Sequence, residues 1–231
     1  MRIDRPREWP ATPDEAIALQ DRLRPAVRAE NPAPPRFATV AGIDSAYAAD
    51  GTVATAAVVL DTATLDTVET AVAHGVSTFP YVPGLLAFRE LPATVAALEQ
   101  LAVTPDLLVC DAQGLAHPRR FGLACHVGLL AGLPTIGVAK SVWGDYAEPG
   151  PRRGDATPVT IDGEVVGRAL RTRDAVKPLF VSVGHLIDLD TACAQVLALT
   201  RGFRQPETTR RADHLCREAL KAAGQSAGSS P

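Results

Sequence analysis

The chain has 231 residues, 46% of them apolar and 21% charged, with a formal charge of −3. These figures fit a soluble globule with a real core and exclude a uniformly basic surface that would hold polyanions by bulk charge. No apolar run is long enough to span a bilayer and no secretory leader precedes the polar N-terminus, so a cytoplasmic address and no membrane partner are expected.

Thr12-Pro13-Asp14-Glu15 is a capping box with proline at the first helical position. It predicts a helix through Ala16, Leu19 and Leu23, ending near Arg28. Residues 31–36 are a Pro-rich joint. Residues 37–47, 53–60 and 67–73 read as strands, and Ala49-Asp50-Gly51 as a hairpin turn. Pro92 suits the first turn of a helix over 93–101. Leu107-Leu108-Val109-Cys110 reads as a short buried strand ending in Asp111. A helix over 120–130 and a strand over 135–139 follow. Residues 159–161 and 165–171 flank the turn Asp162-Gly163-Glu164, and 179–183 is another strand. Residues 189–199 and 208–223 are helical. The pattern predicts a single α/β domain over 1–223 with a mixed sheet, and a disordered tail over 224–231. Cys110, Cys125, Cys193 and Cys216 show neither C-x-x-C nor zinc spacing, and read as buried thiols.

Two acids sit where an apolar strand would not place them. Asp44 follows Val40-Ala41-Gly42-Ile43, and Asp111 closes its own strand. Ligands of open α/β sheets collect at the carboxyl ends of strands. Carboxylates on neighbouring strands repel unless a proton or cation intervenes, and hard divalent ions suit an oxygen-only site. Pairing of each acid with a nearby Arg or Lys is the other reading. Glu90 and Asp213 are further acids with the same two readings. Lys140 ends the strand 135–139, placed either to meet a phosphate or to sit in solvent. His117 fits a phosphate contact or an ordinary surface loop.

Phe79-Pro80-Tyr81-Val82-Pro83-Gly84 holds a Tyr-Val pair between prolines, which stiffen it in extended form. One stiff tyrosine suits the gap left when a base leaves a duplex, but by itself the stretch reads more readily as a Pro-rich turn with a half-buried tyrosine. Arg119, Arg120 and Lys140 flank the site. Arg168, Arg171, Arg173, Lys177 and a basic C-terminal stretch could supply a local phosphate track.

Six ordered blocks resemble the endonuclease V family: 41–44, 81–90, 111–120, 134–141, 178–185 and 206–213. The resemblance implies an RNase H-like fold with a central mixed five-stranded sheet flanked by helices. It implies that Asp44, Glu90 and Asp111 bind Mg2+, with Mn2+ able to substitute and Asp213 in support, and that Lys140 and His117 act beside the scissile bond. It implies a wedge at Pro80, Tyr81, Val82 and Pro83. It also implies a base pocket of Gly84, Leu86, Gly114, Gly137 and Ala139, with Arg119 and Arg120 toward the strand. The expected reaction is hydrolysis of the second phosphodiester 3′ to deoxyinosine by a monomer. Inosine-containing RNA and a non-catalytic lesion binder are the alternatives. One departure stands out: the family usually has Asp-Gly-x-Gly, where this chain has Ala112 and Gln113. A Cβ at 112 disfavours positive φ and narrows access, so base affinity or selectivity is expected to differ.

Overall fold

A computed structural model describes residues 1–32 and 36–227. Helix α1 (Pro13–Leu23) starts as its capping box dictates, with the Thr12 hydroxyl accepting from the Glu15 amide at 3.3 Å and the Glu15 carboxylate accepting from the Thr12 amide. It ends before Arg28, because Pro25 lacks an amide and a 3-10 turn over Arg24–Ala26 takes over. Strands β1 (Thr39–Tyr47), β2 (Thr52–Asp61) and β3 (Thr67–Val76) form the antiparallel meander. Helix α2 (Ala87–Gln100) opens six residues ahead of the expected start at Ala93, so Glu90 lies on the helix and Pro92 inside it. Pro92 forgoes one helical bond. Burial of Phe88, Leu91, Val95 and Leu98 holds the helix despite that loss.

Strand β4 (Leu107–Cys110), helix α3 (Leu123–Ala131) and strand β5 (Thr135–Ala139) make the parallel part. Helix α3 does not start at Arg120, whose φ of +54° is not helical; Gly122 caps it instead. Then come β6 (Asp145–Tyr146), β7 (Ala156–Ile161), β8 (Glu164–Leu170), β9 (Leu179–His185), α4 (Leu189–Ala198) and α5 (Glu207–Ala227). Helix α5 passes the expected end at Ala223, so the start of the supposed tail is helical; residues 228–231 lie outside the described residues.

All the described strands join one sheet of nine, in the order β3-β2-β1-β4-β5-β9-β8-β7-β6, which corrects the expected five. The extra strands enter because β9 pairs antiparallel with the free edge of β5 and brings the β7–β8 hairpin with it. Period-two alternation divides β1 between two cores. Ala41 and Ile43 face a layer with α2 and α3, while Val40 faces the layer with α4 and α5. Gly42 lies on the α5 face; a Cβ there would stand 2.2 Å from the Thr208 carbonyl carbon, so only glycine lets α5 lie this close to β1. All four cysteines are free and buried. No helix among the described residues is long and apolar enough to cross a membrane.

Candidate active site

Strands β1 and β4 run parallel, with Ile43 opposite Cys110, and the Asp111 amide donates to the Ile43 carbonyl at 3.1 Å. The next rung therefore sets Asp44 beside Asp111. Burial, and then the charge of Asp111, pushes the Asp44 carboxyl far above the ordinary carboxylate range. The Lys140 ammonium, leaving the end of β5, forms an ion pair with Asp111 Oδ2. Burial pulls the Lys140 pKa down, but the Asp111 hydrogen bond and the charges of Asp111, Asp44 and Asp213 outweigh it, so the group stays protonated.

Glu90 and Asp213 approach this triad from opposite layers without joining it. Glu90 is buried, and desolvation lifts its pKa to about 7, although the Tyr47 hydroxyl donates to it at 3.1 Å. Arg89 lies 5.2 Å over the Tyr47 ring and fixes that contact. Asp213, on α5, is held by Arg217 at 2.8 Å. Among the described residues no three His, Cys, Asp or Glu side chains form a ready-made metal cage. The structure brings Asp44, Asp111 and Lys140 together and leaves Glu90 and Asp213 as flanking charges.

Beside the triad, a cavity of about 160 Å³ lies under the Pro80–Gly84 loop; Tyr81, Gly84, Leu86, Ala112, Gln113 and His117 contribute to its wall. Tyr81 is 72% exposed, which decides against a half-buried turn tyrosine. Val82 and Pro83 also line the cavity, and Pro80 is exposed at the loop's start. Gly84 has φ +80°, and a Cβ there would stand 2.9 Å from Arg119 Nη2. Its carbonyl is a hub. It accepts from Gln20 Nε2 at 3.1 Å and Arg119 Nη2 at 2.8 Å, and it meets His117 Nε2 at 2.9 Å.

Several expected roles change on this geometry. His117 is buried, and desolvation lowers its pKa to about 4. It is a brace for the Tyr81 loop: Nδ1 accepts from the Arg119 amide, which leaves Nε2–H to donate to the Gly84 carbonyl. Arg119 is turned inward to Gln20 Oε1 at 2.5 Å and to Gly84. Arg120 is buried against Glu164 at 2.9 Å and the Ile161 carbonyl at 2.8 Å, tying its loop to the β7–β8 turn. Arg120 is thereby neutralised by Glu164, whereas Arg119 meets only neutral acceptors and keeps its charge beside the Gly84 loop. Gly114 and Gly137 do not line the cavity: a Cβ at Gly114 would strike the Val183 carbonyl oxygen at 2.0 Å, and one at Gly137 the Gly114 nitrogen at 2.5 Å. They let backbones cross. Ala139 is packed with Ala116, Val159 and Phe180 instead.

Ala112 has no positive φ, so the missing glycine brings no backbone strain; its methyl simply forms part of the wall. Gln113 Nε2 donates to the Ser141 carbonyl at 3.3 Å and closes one side of the mouth. Gln20, Ala87, Gly122, Leu123, Ser141 and Trp143 complete the wall; of these Gln20, Leu123 and Trp143 carried no signal in the sequence.

A family model for endonuclease V matches residues 21–214. The chain is 72% identical to the endonuclease V of Nocardia farcinica over 219 residues, 94% of this chain and 97% of that one. The crystal structure of endonuclease V from Streptomyces avermitilis superposes with a TM-score of 0.90 at 57% identity, covering 97% of this chain and all of the other. The Ciona intestinalis endonuclease V, solved with DNA containing an inosine followed by a ribo-adenosine, superposes with a TM-score of 0.81 at 27% identity over 91% of this chain and 98% of its own. Matched along most of its length in both sequence and fold, the chain belongs to the endonuclease V family.

Proposed function

We propose that the chain is a Mg2+-dependent endonuclease that cuts DNA at the second phosphodiester 3′ to deoxyinosine, leaving 3′-hydroxyl and 5′-phosphate ends. The observation that carries this reading is the in-register pair Asp44 and Asp111, set beside a cavity whose rim presents a stiff, exposed tyrosine. The Ciona relative's complex with inosine-containing DNA supports it. The first five strands of the sheet, three antiparallel and then two parallel, support an RNase H-like reading of the core. The enzyme acts as a monomer in the cytoplasm on this reading.

The donor set fits a hard divalent ion. It consists of carboxylate oxygens only, and burial together with the neighbouring Asp111 disfavours a bare charge on Asp44, which a cation would relieve. Asp44 and Asp111 would hold the ion, with Glu90 and Asp213 supplying further charge; Mn2+ would serve in place of Mg2+. When bound, the ion neutralises the phosphate and makes an attacking water more acidic. The chain's own groups do the rest. Tyr81 fills the gap left by the extruded base, and an inosine pair gives up its stacking more cheaply than a normal pair. The cavity takes the base. The Lys140 ammonium, at the reacting edge, meets a phosphate oxygen. His117 keeps the Gly84 carbonyl in place.

The test is an end-labelled duplex carrying one deoxyinosine, incubated with Mg2+, Mn2+, Ca2+ or a chelator. A single nick at the expected linkage is predicted with Mg2+ or Mn2+ and none with chelator. Asp44→Asn and Asp111→Asn should each slow nicking by roughly 10³-fold or more while both variants still melt cooperatively, Asp111→Asn at a lower temperature because Lys140 loses its partner. Tyr81→Ala should narrow the rate ratio between inosine and adenine duplexes. Nicking at the normal rate by Asp111→Asn would sink the assignment. A strand with a ribose 3′ of the lesion that is cut faster than its deoxy form would move the substrate to RNA.

A further inference from the structure

A second cleft, of about 430 Å³, opens from the reacting edge on the side away from the Tyr81 loop. Lys140, Tyr146, Lys177, Phe180 and Arg204 form much of its wall, and Ser141 lines both this cleft and the cavity under the loop. Ser141 is thus a common wall of the two hollows, next to Lys140, which pairs with Asp111.

Lys140 is paired with Asp111, but the other two cations of this cleft, Lys177 and Arg204, have no salt bridge among the described residues. Arg204 Nε and Nη2 donate to the carbonyls of Lys177 and Pro178 at 2.8 and 2.6 Å, which fixes the guanidinium, and no carboxylate among the described residues pairs with it. Lys177 is exposed, and its ammonium has no hydrogen bond or ion pair among the described residues. The one acid in the wall, Glu148, is occupied by Arg171 at 2.7 Å. Tyr146 is 38% exposed, with its ring edge-on to Phe180 at 5.0 Å. Fixed and free cations beside a half-open aromatic ring suit an anionic backbone with a planar base. In a chain of net charge −3 such a local patch is what a polyanion would need.

We infer that this cleft binds the sugar-phosphate backbone of the cut strand on the 3′ side of the scissile bond, with Lys177 and Arg204 on phosphates and Tyr146 against a base or sugar. The direction rests on the nuclease reading above. The base enters the cavity on one side of Asp111, and the cut lies 3′ to it, so the strand beyond the cut runs the other way. Arg120, paired with Glu164, has no part in this work.

The experiment compares wild type with Lys177→Glu, with Mg2+, on deoxyinosine strands ending at increasing lengths beyond the scissile linkage. In wild type, KM should fall several-fold as the strand grows over the cleft. In Lys177→Glu that gain should vanish, and the slope of log KM against log salt on the long strand should drop by about 0.7 to 0.9 for the lost phosphate contact. Tyr146→Ala should lose part of the gain with the salt slope unchanged. The same length gain in Lys177→Glu as in wild type overturns the cleft assignment alone. Wild type that nicks no inosine strand overturns the nuclease reading and the cleft assignment with it.

Discussion

His126 shows how one residue carries a cost unrelated to the chemistry. It is buried among Trp9, Phe88 and Phe121, its Nδ1 has no partner among the described residues, and burial lowers its pKa to about 4. In the unfolded chain it titrates near 6.5, so between those values the unfolded state binds a proton that the folded state refuses. Stability conferred above pH 6.5 is therefore lost as pH falls toward 4. His126→Leu should remove this loss. The stability difference between wild type and variant should move against wild type by about 1.4 kcal/mol per pH unit below 6.5, read by urea unfolding across pH 4.5–8. Other residues were unequally legible in the sequence. Asp44 and Asp111 announced themselves, because a carboxylate in an apolar strand has few explanations. Arg119 and Arg120 did not show their direction, since adjacent cations look alike whether they meet solvent or buried carbonyls. Gly114 and Gly137 were misread because a missing Cβ admits a ligand or a neighbouring backbone equally well.

Among the elements, α1 matters more than its distance from the acids suggests. Its Gln20 is buried and donates to the carbonyls of Gly84 and Phe121, each at 3.1 Å, while orienting Arg119. One amide thus ties the Tyr81 loop to the loop after β4. Gln20→Leu strands the Phe121 carbonyl and the Arg119 Nε, at a cost of about 1–3 kcal/mol. We expect faster hydrogen exchange over residues 79–86 and a KM for inosine duplex that rises more than kcat falls. Exchange confined to α1 would contradict the tie. No local pattern marks Gln20, because its partners lie 64 and 101 residues away. Strand β6 was missed for a different reason: two residues carry no periodicity to read. The capping box of α1 and the prolines of the Tyr81 loop were legible because their physics is local.

At the scale of the whole molecule, the sheet is the frame and Gly42 is where α5 is set against it. Gly42→Ala would drive a methyl into the Thr208 backbone, so α5 must move or β1 must bend. Overpacking of this kind costs about 1–3 kcal/mol. Because α5 carries Asp213, nicking should weaken along with stability; urea unfolding and the nicking assay on one preparation check both, and an unchanged midpoint would contradict the close contact. The sheet's full width was not legible, because β9 joins β5 through edge pairing that no short stretch of sequence encodes. Asp44 and Asp111, by contrast, are spaced by a backbone ladder, and rearranging a loop cannot part them. On the proposed reading the two central carboxylates are therefore in place before any strand arrives. Whatever spares undamaged chromosomes must act earlier, when a nucleobase is admitted or turned away, and fidelity is a matter of gatekeeping rather than of switching the blade on and off.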